Sequence, residues 1–159
     1  SLLHVGRRTN KESKGMPGAQ QTIIVDTPMA FFFEVISDFE SYSDFLSEVR
    51  STRILSEDGD NIRVHYQVHV IKKVEYSLDF KKEGSHRLSW ALGEGKLMKA
   101  NNGSWELEEL SETQTKATYT VDVAARVFVP KAVVNMLVGS TLPATLKQFK
   151  DEAERRYNG

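Results

Sequence analysis

The four histidines, His4, His65, His69 and His86, are the side chains best suited to metal or proton chemistry, and their spacing supports neither. No HExxH pair or carboxylate cluster accompanies them. His65 and His69 lie four apart in an alternating stretch, which at strand rise separates them by about 13 Å, too far to share one ion. They read as part of a wet sheet face. Asp58-Gly59-Asp60-Asn61 begins like a calcium loop, but Ile62 stands at the next oxygen position and no bidentate Glu closes it, so it reads as a turn. Gly93-Glu94-Gly95-Lys96 approaches a phosphate loop, yet Trp90 occupies the first Gly position and Leu97 the Ser/Thr position. No nucleophile elbow or Ser-His-Asp spacing is legible. The absence of Cys removes disulfides, thiolate metal sites and cysteine nucleophiles together. No metal, cofactor or catalytic residue is expected.

What remains is aromatic. Tyr66, Tyr76, Trp90, Trp105 and Tyr119 fall on the apolar parity of different alternating runs, and each joins a large apolar body to a polar tip. Core packing accounts for any one of them. A packed core favours Leu, Ile and Val, whereas a ligand cavity is apolar with a few placed polar groups, so the five together point to a cavity. Asn101 shares the parity of Trp105 if the strand is regular, which makes it a polar group of that cavity; a bulge at Gly103 would turn it outward. Phe39, Tyr42 and Phe45 sit at a bend between two short helices, where they either gate a mouth or pin the helices to a sheet. No acid or base is legible on the dry parity.

The elements that must hold these residues follow from periodicity. Thr22 to Val25 is β-branched and reads as a strand, ending at Asp26-Thr27-Pro28, where Asp or Thr can cap a helix with Pro in its first turn. Met29 to Ile36 is helical, and Ser37 to Leu46 interleaves capping residues with aromatics, predicting a second short helix after a bend. From Val49 to Val127 the period is two: Ile62, Val64, Tyr66, Val68 and Val70 alternate with Arg63, His65, Gln67 and His69. Similar runs carry Val74 to Phe80, Leu88 to Leu92, Trp105 to Leu107 and Ala117 to Ala125. Turns are predicted at Asp58-Gly59-Asp60, Lys72-Lys73, Glu83-Gly84-Ser85, Gly93-Glu94-Gly95 and Ser111-Glu112-Thr113. An antiparallel meander with one dry face results. Pro130 to Tyr157 then turns helical, with Leu142, Leu146, Phe149 and Ala153 on one stripe and a length of roughly 42 Å. Gly139 and Pro143 weaken or kink it, which places a mouth between residues 42–46 and 136–143, with Phe45, Met136 and Leu137 as gate contacts. A simple bend around a curved sheet explains the same breakers.

The 159 residues suit one domain, and 40% hydrophobic content can enclose a sizeable core. A formal net charge of -1 leaves no basic field to collect DNA. The longest apolar run, Met29 to Phe33, is far short of the about 20 residues that a spanning helix needs. Residues 1–18, with Arg7, Arg8, Lys11 and Lys14 among Asn, Ser, Gly and Pro, read as a flexible leader of native or appended origin, and 19–157 as the domain. No secretory pattern follows the basic residues, and a cytoplasmic location is expected.

This order of elements resembles the helix-grip, START-like superfamily. Ile36-Ser37-Asp38-Phe39-Glu40-Ser41-Tyr42-Ser43-Asp44-Phe45-Leu46 resembles the opening signature of its coenzyme Q-binding and polyketide cyclase/dehydrase branch, with Ser43 and Ser47 where that branch usually has Pro. Gly95 to Leu107 and the Phe149 to Arg156 end of the last helix resemble it too, so the likeness spans residues 19–157. It implies an α+β fold: a curved antiparallel sheet wrapped around a long C-terminal helix, with two short helices after strand 1. It implies a carrier of a small hydrophobic ligand of the lipid or isoprenoid quinone class. The competing implications are an aromatic polyketide cyclase or dehydratase, which needs a pocket acid or base, and a ribosome- or protein-interaction module using Lys and Arg of residues 50–73. A transient membrane or ribosome contact is compatible with either binder; oligomeric state is open.

Overall fold

The computed structural model describes residues 15–69 and 72–159. Seven strands form a single antiparallel sheet: β1 (Gly15–Val25), β2 (Val49–Asp58), β3 (Asn61–His69), β4 (Lys73–Glu83), β5 (Arg87–Gly95), β6 (Met98–Ser111) and β7 (Gln114–Ala125). Their order is β1-β7-β6-β5-β4-β3-β2, so β2 to β7 are a meander and β7 returns to pair the first strand, from Val25↔Thr115 to Gly15↔Ala124. Between β1 and β2 come α1 (Met29–Ile36), a 3-10 turn at Phe39–Ser41, and the single-turn α2 (Tyr42–Phe45). After β7 come α3 (Lys131–Met136), a π-helical turn at Leu137–Thr141, and α4 (Leu142–Asn158). This is the helix-grip architecture that the sequence predicts.

Alternation decides which face is dry. In β3, Ile62, Val64, Tyr66 and Val68 are buried while Arg63, His65 and Gln67 are half-exposed. The dry face curls around α4, which offers Leu142, Leu146, Phe149 and Ala153, all buried and spaced 4, 3 and 4 apart along one stripe. Phe32 of α1 packs edge-on against Trp105 at 5.5 Å, and Thr115 Oγ1 donates to the Thr27 carbonyl at 2.8 Å, tying the β1–α1 turn to β7. Gly59 has φ +60°, which closes the β2–β3 hairpin tightly and accounts for the calcium-like Asp58-Gly59-Asp60 stretch as a turn.

Four local expectations change. The long helix is not α-helical throughout: a π turn over Leu137–Thr141, which contains Gly139, interrupts the α pattern just before Pro143. Pro28 precedes α1, and neither Asp26 nor Thr27 caps it; the Thr27 hydroxyl donates to the Pro28 carbonyl instead. Gly93 to Gly95 belong to β5 rather than to a turn: the register with β4 shifts here, the Glu94 N–H donates to Ser77 Oγ at 2.9 Å, and a Cβ on Gly93 would lie 2.5 Å from that oxygen. β1 starts at Gly15, ahead of the boundary at 19; the rest of the leader, and Val70 at the end of the β3 pattern, lie outside the described residues.

Candidate functional site: an aromatic cavity under the sheet

Between the dry face and α4 lies a cavity of about 630 Å³. Its walls are the inward side chains of the meander, and Tyr66, Tyr76, Trp90, Asn101, Trp105 and Tyr119 all face it. Asn101 does so because β6 keeps its register through Gly103, with Asn101↔Val123, Gly103↔Val121 and Trp105↔Tyr119. Gly103 marks a close approach rather than a bulge: a Cβ there would lie 2.1 Å from the Thr120 carbonyl oxygen and 2.7 Å from Trp90 Cζ2. The Trp90 ring therefore packs close against β6 at Gly103, and its Nε1 donates to Asn101 Oδ1 at 3.2 Å. The Asn101 amide nitrogen has only the Met98 sulfur, at 4.0 Å.

The rings form a connected wall. Tyr66 stacks on Tyr76 with centroids 5.2 Å apart, and Tyr119 lies 5.3 Å from Trp90 and 4.9 Å from Trp105. Tyr42 also faces the cavity, but its hydroxyl donates to the Ile36 carbonyl, which anchors the bend between the short helices. The hydroxyls of Tyr66, Tyr76 and Tyr119 take no protein partner among the described residues, so they are free to bond a guest. Burial pushes all four tyrosines above the ordinary phenol range, with smaller contributions from neighbouring tyrosine, Asp38 or Glu48 charge. They are neutral donors at physiological pH.

The other expected site residues are placed differently. Phe39 is buried against Phe80, with centroids 4.4 Å apart, and does not line the cavity. Phe45 packs on Phe149 at 5.4 Å under the Arg156 guanidinium, itself paired with Asp38 at 3.0 Å, and so fastens α2 to α4 without touching the cavity. Met136 is 44% exposed and outside the lining; the Leu137 side chain is outside the described residues. Tyr42 and Leu46 from one expected lip, and Thr141 and Leu142 from the other, do face the cavity. The exposed part of the lining is elsewhere. Val127 and Phe128, 49% and 70% exposed, follow β7 at the end of the sheet, next to Lys72 and Leu97. The Arg126 N–H donates to the Leu97 carbonyl at 2.9 Å, which holds that segment beside the β5–β6 connection.

Glu48 is the residue that the sequence conceals. It precedes β2, outside the alternating runs, yet lines the cavity, and partial burial raises its carboxyl above the ordinary range. Among the described residues no group of three His, Cys, Asp or Glu side chains is placed to hold a metal. His65 lies on the opposite sheet face, 3.5 Å from Glu75.

The family model for "Polyketide cyclase / dehydrase and lipid transport" matches residues 25–150, a span that contains every wall of this cavity. The chain belongs to this family. Among solved structures, the Zhui aromatase/cyclase from Streptomyces sp. R1128 is similar with a TM-score of 0.78 at 20% identity, covering 88% of this chain and 94% of that one. A START superfamily protein from Mycobacterium smegmatis has a TM-score of 0.78 at 19% identity, covering 87% and 97%. A protein from Thermus thermophilus has a TM-score of 0.74 at 18% identity, covering 88% and 96%. At these identities the likeness is one of fold. No curated protein sequence matches the chain. As a member of this family it has the superfold's hydrophobic cavity, which serves ligand binding or cyclase chemistry. Among the described residues no helix is long and apolar enough to cross a membrane.

Proposed function

We propose that the protein binds and carries a small, uncharged hydrophobic ligand with at least one oxygen atom, of the lipid or isoprenoid quinone class. The observation that carries this reading is the cavity's polarity: a largely apolar volume of about 630 Å³ in which neutral tyrosine hydroxyls and the Asn101 amide are free to bond, with Glu48 and Lys72 the charged groups among the described lining residues. That volume falls within the range of about 300 to 1,000 Å³ common to small-molecule sites. A ligand carbonyl or hydroxyl accepts from Tyr66, Tyr76 or Tyr119, while its apolar body covers Trp90, Leu78 and Val121. A carboxylate guest is disfavoured, since among the described lining residues the one cation, Lys72, is solvent-exposed and Glu48 adds a like charge.

The cyclase reading gains one candidate, Glu48, whose raised carboxyl suits proton transfer. Against it, the tyrosines titrate far above neutral pH, and among the described lining residues Lys72 is the one other titrating group beside Glu48. The interaction-module reading has less support, because Arg63, central to the basic stretch 50–73, is held by Asp79 at 2.6 Å.

Mass spectrometry of an organic extract of the purified protein, with quenching of Trp90 and Trp105 by added ligand, tests the proposal. A neutral polyprenyl quinone is expected to quench at far lower concentration than a fatty acid of equal carbon number. Equal affinity for the two, or an extract without lipid together with no quenching by either, would refute it.

A further inference from the structure

The apolar tip at the cavity mouth is unusual for an exposed turn. Val127 and Phe128 present a β-branched and an aromatic side chain to solvent, although both also line the cavity, so the opening is continuous with an exposed apolar surface. The strand directions decide what surrounds it. β3, β5 and β7 end, and β2, β4 and β6 begin, at this same end of the sheet. Lys72 and Lys73 come from the β3–β4 connection, Lys96 and Lys99 flank the β5–β6 connection, and Arg126 and Lys131 flank the tip itself. All six are exposed, and among the described residues none is in an ion pair. Glu48, Glu75, Glu94 and Asp122 are the described carboxylates toward this end, fewer than the six cations. The opposite end carries the turns with Asp58, Asp60, Glu83 and Glu112. Of the eleven described Lys and Arg side chains that make no ion pair, six thus lie around the exposed apolar tip.

We propose that this rim docks on the surface of an anionic lipid bilayer, with Val127 and Phe128 entering the boundary between headgroups and acyl chains and the lysines facing lipid phosphates. Shallow insertion of an apolar tip amid basic side chains is how a peripheral protein adds buried area to electrostatic attraction. The geometry sets the cavity mouth against the bilayer, so a hydrophobic guest passes between lipid and cavity without crossing water. A nucleic acid would engage the same cations but would leave the aliphatic Val127 without a partner.

The test is sedimentation of the ligand-free protein with phosphatidylcholine vesicles, with and without phosphatidylglycerol. Binding is expected only to the anionic vesicles and is expected to fall steeply with salt. At about five-fold per charge, Lys73→Glu/Lys96→Glu/Lys99→Glu should weaken it on the order of a hundred-fold or more. Phe128→Ser should weaken it at least about ten-fold. Lys81→Glu/Lys116→Glu, at the far end of the sheet, should leave it unchanged. Thermal unfolding of each variant confirms that it is folded. The proposal is overturned by failure to sediment with anionic vesicles, by equal binding to neutral ones, or by equal weakening from the far-end variant. It is also overturned if polyuridylate displaces the vesicles while Phe128→Ser binds them normally. Because no ligand is added, a failure here leaves the cavity reading to its own experiment.

Discussion

Gly103→Ala adds one methyl group at the point where three strands and a tryptophan converge. The new Cβ would sit 2.1 Å from the Thr120 oxygen and 2.7 Å from Trp90 Cζ2, where ordinary contact begins near 3.4 Å. The ring alone can slide, but Thr120 is backbone of β7, paired to Ser104, so relief requires β6 and β7 to part by about an ångström. Overpacking of this kind costs about 1 to 3 kcal/mol, and each ladder hydrogen bond weakened adds about 1 kcal/mol. About 3 kcal/mol is the expected loss, a fall in Tm of roughly 6 to 12 °C for a domain of this size. Gly139→Ala is the control: nothing lies within 4 Å of its Cβ, and in a helical turn Ala is favoured by about 1 kcal/mol, so the same change should stabilise. Urea unfolding of both variants, followed by far-ultraviolet circular dichroism, measures the difference. If Gly103→Ala falls within about 0.5 kcal/mol of the parent, roughly the scatter of a neutral surface change, the β5–β6–β7 register is wrong. The position of Trp90, and the cavity floor that it makes, would then be wrong with it.

Trp105→Ala should cost about 3 to 5 kcal/mol in the same assay, since the ring is 2% exposed and meets Phe32, Tyr119 and Phe149; a loss below about 1 kcal/mol would mean that it borders a hollow rather than a packed wall. Asn101→Leu leaves the Trp90 Nε1 without an acceptor and should cost about 1 to 3 kcal/mol, visible as a shift in tryptophan emission and in the urea midpoint. Glu48→Gln tests the carboxyl at the mouth: because folding raises its pKa, the folded protein binds the proton more tightly, and stability falls as pH rises from the ordinary carboxylate range through the raised value. The variant should therefore match the parent below that window and exceed it above, as unfolding free energies across a pH series would reveal.

The dry wall of the cavity was legible because a strand has a period of two, and the β3–β4 and β6–β7 ladders keep register through the positions that matter. Tyr66, Tyr76, Trp90, Asn101, Trp105 and Tyr119 each needed only their own strand's parity to be placed. Phe39 and Phe45 were not placed by any such rule. They sit in turns of three and four residues, too short for a periodic pattern, and which side of the bend an aromatic ring takes depends on partners far along the chain, such as Phe80 and Phe149. The sequence marked Gly139 and Pro143 as weak points of the long helix, and its α-helical pattern does break there. What the sequence did not reveal is the form of the break, a π turn over Leu137–Thr141 that ends just before Pro143.

The mouth was hidden for a topological reason. Its residues, Glu48, Lys72, Leu97 and Val127 to Pro130, come from four separate connections, and none of these stretches is periodic or carries a motif. In a meander, however, alternate connections lie at the same end of the sheet, so charges scattered along the chain at every second turn converge in space. Lys72-Lys73, Lys96 and Arg126 are spaced by about two strands each. A count of net charge sees them cancelled by Glu57, Asp58, Asp60, Glu83, Glu109 and Glu112, which belong to the intervening turns at the other end. The near-neutral total that argued against an anionic partner at the level of composition therefore hides a local excess of cations at the end where the cavity opens. For an antiparallel meander, charge summed by alternate turns, rather than over the chain, is the quantity that bears on which end meets a partner.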